Sequence, residues 1–178
     1  MVMQTDKEVS TAGLVSIGVP VFNSEHHVTE LLSSLINQSY KNVEIIVFDN
    51  ASTDDTYRVC KEFSTKHPQV RVFQNDTNSG PTENFNKVFS FARGEYFMWA
   101  AADDLFDPGY VQVCVEELDG NKELVLAGSE TVQIYEDKDQ VLFVDHGFSL
   151  VEDKPEDRFR HYRQALMQKK HIGMIFYG

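Results

Sequence analysis

From Leu14 onward the apolar residues change their spacing at regular intervals, and that alternation limits the chain to one fold class. Leu14–Val21 is a short run rich in β-branched residues, the pattern of a strand buried on both faces. Beyond Phe22, residues Val28, Leu31, Leu32, Leu35 and Ile36 recur at the helical interval, which predicts a helix with Asn23 or Ser24 as its cap and Glu25 in its first turn. Val43–Phe48 is a second strand, followed by the polar cluster Asp49-Asn50-Ala51-Ser52-Thr53. Tyr57, Cys60 and either Phe63 or Val59 mark a second helix, and Val70–Phe73 a third strand. After the polar loop Asn75–Gly80, Pro81 suits a first helical position. Phe85, Val88, Phe89 and Ala92 give that helix its apolar stripe, and Gly94 closes it. Tyr96–Ala100 is a fourth strand, running into Asp103-Asp104 ahead of a helix over Pro108–Leu118 and a strand over Leu124–Ala127.

Strands and helices in alternation require right-handed crossovers and a largely parallel sheet with helices on both faces. The expected class is α/β, with strand order 3-2-1-4 in the first half. Past Gly128 the pattern changes: Thr131–Tyr135 and Val141–Val144 read as a hairpin, Glu156–Gln168 as a charged helix, and Ile172–Gly178 as an apolar strand with nothing after it to cover it.

Charge narrows the partners. Sixteen Lys and Arg against 28 Asp and Glu give a net charge of −12 in 178 residues, which repels nucleic acid and anionic lipid. Cys60 and Cys114 lie far apart within apolar periodic segments, as buried reduced thiols do. The polar N-terminus has no apolar core of a leader, and no run is long enough to span a bilayer, so the expected location is cytoplasmic.

In an open α/β sheet, ligands bind beyond the carboxyl ends of the strands, where the strand order reverses. With order 3-2-1-4 the reversal lies between the first and fourth strands. Asp49, Asp103 and Asp104 are then expected to converge on one crevice. Such a cluster is costly unless a cation occupies it, and hard oxygen ligands favour Mg²⁺ or Mn²⁺ completed by substrate phosphates. Alternating side-chain direction at a strand end would send Asp103 and Asp104 to different partners. Each motif has a plainer reading when taken alone: the acidic pair can cap the following helix, Asp49–Ser52 can cap the second, and Asn78-x-Gly80 can be a simple turn.

Taken in order and spacing, Val15–Asn23, Val47–Asp54, Asn78–Asn84, Ala92–Tyr96 and Asp103-Asp104 resemble the family 2 glycosyltransferases of GT-A fold. The resemblance covers roughly Val15–Leu118. It implies transfer of a sugar from a nucleoside diphosphate sugar, most often a UDP-sugar, to a hydroxyl acceptor such as a growing cell-surface or lipid-linked glycan, with inversion and a divalent cation, Mn²⁺ or Mg²⁺. By position it assigns Pro20, Val21, Asn23, Glu25, Asp49, Asn78, Asn84 and Asp103 to the nucleotide sugar. Asp49 and the backbone near Pro20 would hold base and ribose, and Asp103 the ribose or donor sugar. Asp104 matches the last acid of the family's DXD-like motif and would bind the metal.

On the same basis residues 1–178 are expected to be one GT-A domain, with residues 12–128 the nucleotide-sugar-binding half and 129–178 part of the acceptor half. The general base is expected beyond Gly178, with Glu130, Asp145 and His146 as weaker substitutes. A peripheral place at the inner membrane face and a homodimer formed through the terminal strand complete the expectations. The competing reading is a non-catalytic nucleotide-sugar-binding or assembly module of the same fold.

Overall fold

The computed structural model describes residues 11–128, together with the backbone strands at 131–135, 140–144 and 175–177. The contacts divide the chain near Gln112 into two compact units.

In the first unit, β1 (Val15–Val21), α1 (Val28–Ile36), β2 (Val43–Asp49), α2 (Thr56–Lys66), β3 (Val70–Gln74), α3 (Pro81–Ser90) and β4 (Tyr96–Trp99) alternate as the periodicity predicts. The strands form a parallel array in the order β3-β2-β1-β4. Central β1 pairs with β2 from Val15↔Val43 to Val21↔Asp49, and with β4 from Val15↔Tyr96 to Gly18↔Trp99. Val15, Ile17, Val19, Ile45, Ile46 and Val47 have no exposed surface, as expected for strands covered on both sides. Each such side chain contributes about 1.5–3 kcal/mol on burial.

Side-chain alternation splits the sheet into two differently furnished faces. One carries Ile46, Phe48 and Trp99 packed with Val88 of α3. Gly18 lets that helix approach, since a Cβ there would lie 2.6 Å from the Val88 side chain. The other face carries Ile45, Val47 and Asp49, with α2 packed on β2 and β3 and α1 beside it. α1 buries Val28, Leu31, Leu32 and Leu35.

Two local expectations are corrected. α1 begins at Val28 rather than directly after Asn23, because a turn closes first: the Ser24 carbonyl accepts the His27 and Val28 amides. Neither Asn23 nor Ser24 caps the helix, and Glu25 lies ahead of its first turn. Gly94 is not a helix cap either. α3 ends at Ser90, and Gly94 is required by close approach: a Cβ would meet the Leu14 carbonyl at 2.5 Å, the Ser16 nitrogen at 2.7 Å and the Tyr96 carbonyl at 2.8 Å. Ser16 secures this corner. Its Oγ accepts the Arg93 and Gly94 amides and donates to Glu44, whose carboxylate also pairs with Arg71 at 2.8 Å.

α4 (Tyr110–Gly120) begins at the end of the first unit. In the second unit, β6 (Thr131–Tyr135) and β7 (Gln140–Val144) form the expected antiparallel hairpin, and β5 (Leu126–Ala127) pairs antiparallel with β8 (Ile175–Tyr177). The helix expected over Glu156–Gln168 lies outside the described residues. Cys60 and Cys114 are buried thiols, as expected. Among the described residues no helix is long and apolar enough to cross a membrane.

Replacing Gly94 with Ala should lower stability by about 3 kcal/mol, since the clashing atoms are backbone and cannot rotate away. Urea unfolding measures this directly, and an unchanged midpoint would refute the close-approach account.

Candidate functional site

The carboxyl ends of β1, β2 and β4 share one edge of the sheet, where the loops after β1 and β2 are tied together by side chains reaching from one to the other. Asn23, just after β1, accepts the Thr53 amide on Oδ1 at 2.9 Å, and its own N–H donates to Ser52 Oγ at 2.9 Å. The Ser24 N–H donates to Thr56 Oγ1 at 2.7 Å and the Glu25 N–H to Asp54 Oδ2 at 3.2 Å, while Glu25 Oε2 accepts the Asp55 amide at 2.8 Å. Asn23 and Ala51 adopt left-handed conformations, φ 50° and 57°, within this staple. Asn tolerates that region; Ala does so only where its surroundings leave no alternative.

Asp54 anchors the staple. Burial pushes its carboxyl up, but hydrogen bonds from the Thr56 hydroxyl and amide and from the Glu25 amide outweigh that and hold it below 3.8. Beneath the loops the Cys60 thiol is pushed up to about 12, first by burial and then by the charges of Asp49 and Asp54. A thiol held so fully protonated is no nucleophile.

Asp49 has no exposed surface. Its carboxylate accepts the Ser52 amide at 3.0 Å, the Ser52 hydroxyl and Gln74 Nε2 at 2.9 Å. The last comes from the end of β3, the side of β2 away from β4. β1 lies between β2 and β4, which sets those two strands about 10 Å apart across the sheet, and β4 ends level with Gly18 while β2 runs on to the level of Val21. The expected convergence of Asp49, Asp103 and Asp104 on one cation is therefore corrected: among the described residues no cluster of three acidic, His or Cys side chains could hold a metal.

Asp103 and Asp104 sit in a turn beyond β4 rather than at its last residues, which end with Trp99. Asp104 closes the turn, its N–H donating to the Ala101 carbonyl at 3.0 Å and its Oδ2 accepting the Ala101 amide at 3.2 Å. Partial desolvation, with a smaller contribution from the charge of Asp103, raises the Asp104 carboxyl above 3.8 although much of the residue is exposed. A carboxylate in this state is eased by a nearby cation. Oδ1 of Asp104 and both oxygens of Asp103 are free of described partners, which leaves hard oxygen donors of the kind Mg²⁺ and Mn²⁺ accept.

The other assigned residues fall into two groups. Pro20 is partly exposed and Val21 buried, so Val21 meets this edge through its backbone, with its carbonyl taken by the Asn50 amide. Asn78 is exposed on the loop after β3. Asn84 turns inward instead, buried, its Nδ2 on the Phe48 carbonyl at 3.0 Å and its Oδ1 accepting from Asn75. Two residues at this edge were not singled out from sequence. Phe22, at the mouth of β1, is 45% exposed, an unusual placement for a large ring that the apolar-to-polar switch at Val21-Phe22-Asn23 could have flagged. Asn50 is buried at the centre of a side-chain amide network, and no local pattern announces it.

The family model described as Glycosyl transferase family 2 matches residues 16–176. An uncharacterized glycosyltransferase of Haemophilus influenzae is 34% identical over 116 residues, 65% of this chain and 36% of that protein. The chondroitin synthase of Escherichia coli is 34% identical over 114 residues, 64% of this chain and 16% of the synthase. The chain thus spans about a third of the first relative and a sixth of the second. The crystal structure of S. aureus TarS 1-349 in complex with UDP superposes with a TM-score of 0.56 at 32% identity, over 60% of this chain and 32% of that one. Mannosyltransferase PcManGT from Pyrobaculum calidifontis, in complex with GDP-Man and Mn²⁺, shares the fold with a TM-score of 0.63 at 20% identity, over 93% of this chain and 44% of its own.

A depressed folded pKa at Asp54 contributes stability that is complete above 3.8 and is lost as the pH falls through the folded value. Between about pH 5 and about pH 3, the denaturation midpoint should therefore fall more steeply for the wild type than for Asp54→Asn, which keeps the shape and cannot titrate. Parallel slopes would remove Asp54 from the staple.

Proposed function

The chain belongs to glycosyl transferase family 2, and on that premise we propose that it binds a nucleoside diphosphate sugar at the carboxyl edge of β1, β2 and β4 for inverting transfer to a hydroxyl acceptor. The donor of choice in this reading is a UDP-sugar, and the acceptor a growing cell-surface or lipid-linked glycan. The observation that carries it is the exposed pair Asp103-Asp104, with carboxylate oxygens left free, in the turn that leaves the strand beside β1.

The roles follow from placement. Phe22 offers a ring at the mouth of β1 on which a base can stack. The backbone at Pro20-Val21 and the end of β2 at Asp49 form the floor beside it. Asp49 acts through the Ser52 and Gln74 groups it holds, since its own carboxylate is enclosed. Asn23 and Glu25 fix the loop after β1 against the loop after β2, and Asn84 fixes α3 against β2. Asp104 would hold Mn²⁺ or Mg²⁺ and Asp103 the ribose or sugar hydroxyls. A bound cation supplies Lewis-acid stabilisation of the charge that develops on the departing diphosphate.

Holding donor groups on strand ends and stapled loops restricts their motion, and this orientation is the contribution the described residues make to the reaction. None of them is assigned as the base that takes the acceptor proton. Glu130, Asp145 and His146 lie outside the described residues. A cytoplasmic location, with the acceptor presented at the inner membrane face, belongs to the same proposal.

Isothermal titration with UDP should give binding that strengthens on addition of Mn²⁺. Asp104→Asn should weaken the metal-dependent part at least about tenfold while leaving the urea midpoint within about 0.5 kcal/mol, because an exposed turn residue contributes little packing. Phe22→Ala should cost about 1–3 kcal/mol in UDP affinity through lost stacking. No heat with UDP or GDP, with or without Mn²⁺, would contradict the proposal.

A further inference from the structure

Four asparagines meet below the loop that follows β3, and groups that can only donate dictate which way each amide faces. The Lys87 ammonium donates to Asn75 Oδ1 at 3.0 Å. This turns Asn75 Nδ2 toward Asn50 Oδ1 at 2.8 Å and Asn84 Oδ1 at 3.1 Å. The Ser79 N–H also donates to Asn50 Oδ1, at 3.0 Å, so the Asn50 oxygen is fixed from two sides. Asn50 Nδ2 must then be the donor on its far side, where it reaches Asn78 Oδ1 at 2.9 Å and the Gly80 carbonyl at 3.2 Å. The Gly80 N–H donates to the same Asn78 oxygen at 2.9 Å. Asn50, Asn75 and Asn84 are nearly fully buried, while Asn78 is exposed.

The relay leaves Asn78 with its oxygen held by the protein and its Nδ2 without a partner among the described residues. A side-chain amide free to rotate would present either end. Here it presents a donor only.

We propose that Asn50 is a positioning residue for the nucleotide: it orients the Asn78 amide so that Nδ2 donates to an oxygen of the nucleotide bound at this edge. The inference rests on the donor-binding reading above. Among the described residues Asn50 is the side chain that joins the buried part of the relay to Asn78, and it shares the hold on the Asn78 oxygen with the Gly80 N–H. A carboxylate of the same shape at position 50 would set an oxygen against Asn78 Oδ1 and the Gly80 carbonyl. The Asn78 oxygen would then keep the Gly80 N–H alone, and Nδ2 would lose the fixed direction in which it meets the ligand.

The test measures UDP binding with Mg²⁺ for the wild type, Asn50→Asp, Asn78→Ala and the double variant, with folding checked by circular dichroism. Each single variant should lose about five- to tenfold in affinity, the worth of one neutral hydrogen bond, and the double variant should lose no more than either. In ¹H–¹⁵N spectra, the side-chain amide pair identified by its disappearance in Asn78→Ala should shift when UDP and Mg²⁺ are added to the wild type. A merely structural relay would leave that pair unmoved. Wild-type affinity in Asn78→Ala, losses that multiply in the double variant, or an unshifted amide pair each overturn the inference while leaving donor binding intact. If Asn50→Asp does not fold, Asn78→Ala and the spectra decide. Failure of the wild type to bind UDP overturns the inference together with the reading beneath it.

Discussion

The parallel pairing of β1 with β2 on one side and β4 on the other is the constraint from which the rest of the site follows. Because both partners run in the same direction as β1, the carboxyl ends of all three strands face one edge, and each crossover must begin there. The pairing is possible because β1 is buried on both faces: Val15, Ile17 and Val19 are fully enclosed on one, and Gly18 admits α3 on the other. At the opposite edge, Gly94 and Ser16 bring the β4 backbone against β1 with no room for a side chain. The carboxyl edge is thus held by contacts made at the far end of the same strands.

At that edge the polar residues divide their labour. Asp49, Asp54, Glu25, Asn23 and Asn84 spend their hydrogen bonds on other parts of the chain. Asp103, one oxygen of Asp104 and Nδ2 of Asn78 have no partner among the described residues, and the ring of Phe22 is exposed. Enclosed polar groups must be satisfied to be tolerated, and once satisfied they stiffen what they hold. Here they stiffen the loops that would frame a nucleotide in the proposed function, where groups assigned to one ligand by sequence would act at two distances from it.

Much of the fold was legible in the sequence because each strand and each helix stripe is a local pattern. The run Val15–Val21 and the stripe Val28, Leu31, Leu32, Leu35 each lie within a dozen residues, and their alternation with right-handed crossovers implies a parallel sheet; the expected order 3-2-1-4 is the one found. The position of Asp103-Asp104 near the end of β4 was legible for the same reason. What escaped depends on contacts between distant residues. The Asp49 carboxylate is held by Ser52 and by Gln74, 25 residues on, and β1 stands between its strand and the one that leads to the acidic pair. The Asn75–Asn50 contact also spans 25 residues, and the Asn23–Thr53 contact 30. Gly94 was noticed for the wrong reason: it marks where two strands touch, which a helix-ending pattern imitates.

The central claim is that one edge of this sheet, between Phe22 and the Asp103-Asp104 turn, receives a nucleoside diphosphate together with a divalent cation. A crystal structure of the chain grown with UDP and Mn²⁺ tests it most directly. The account predicts base density against Phe22, an anomalous Mn²⁺ peak within coordinating distance of Asp104, and a diphosphate bridging the two. Nucleotide bound elsewhere on the molecule, or a cation coordinated by other side chains, would contradict it.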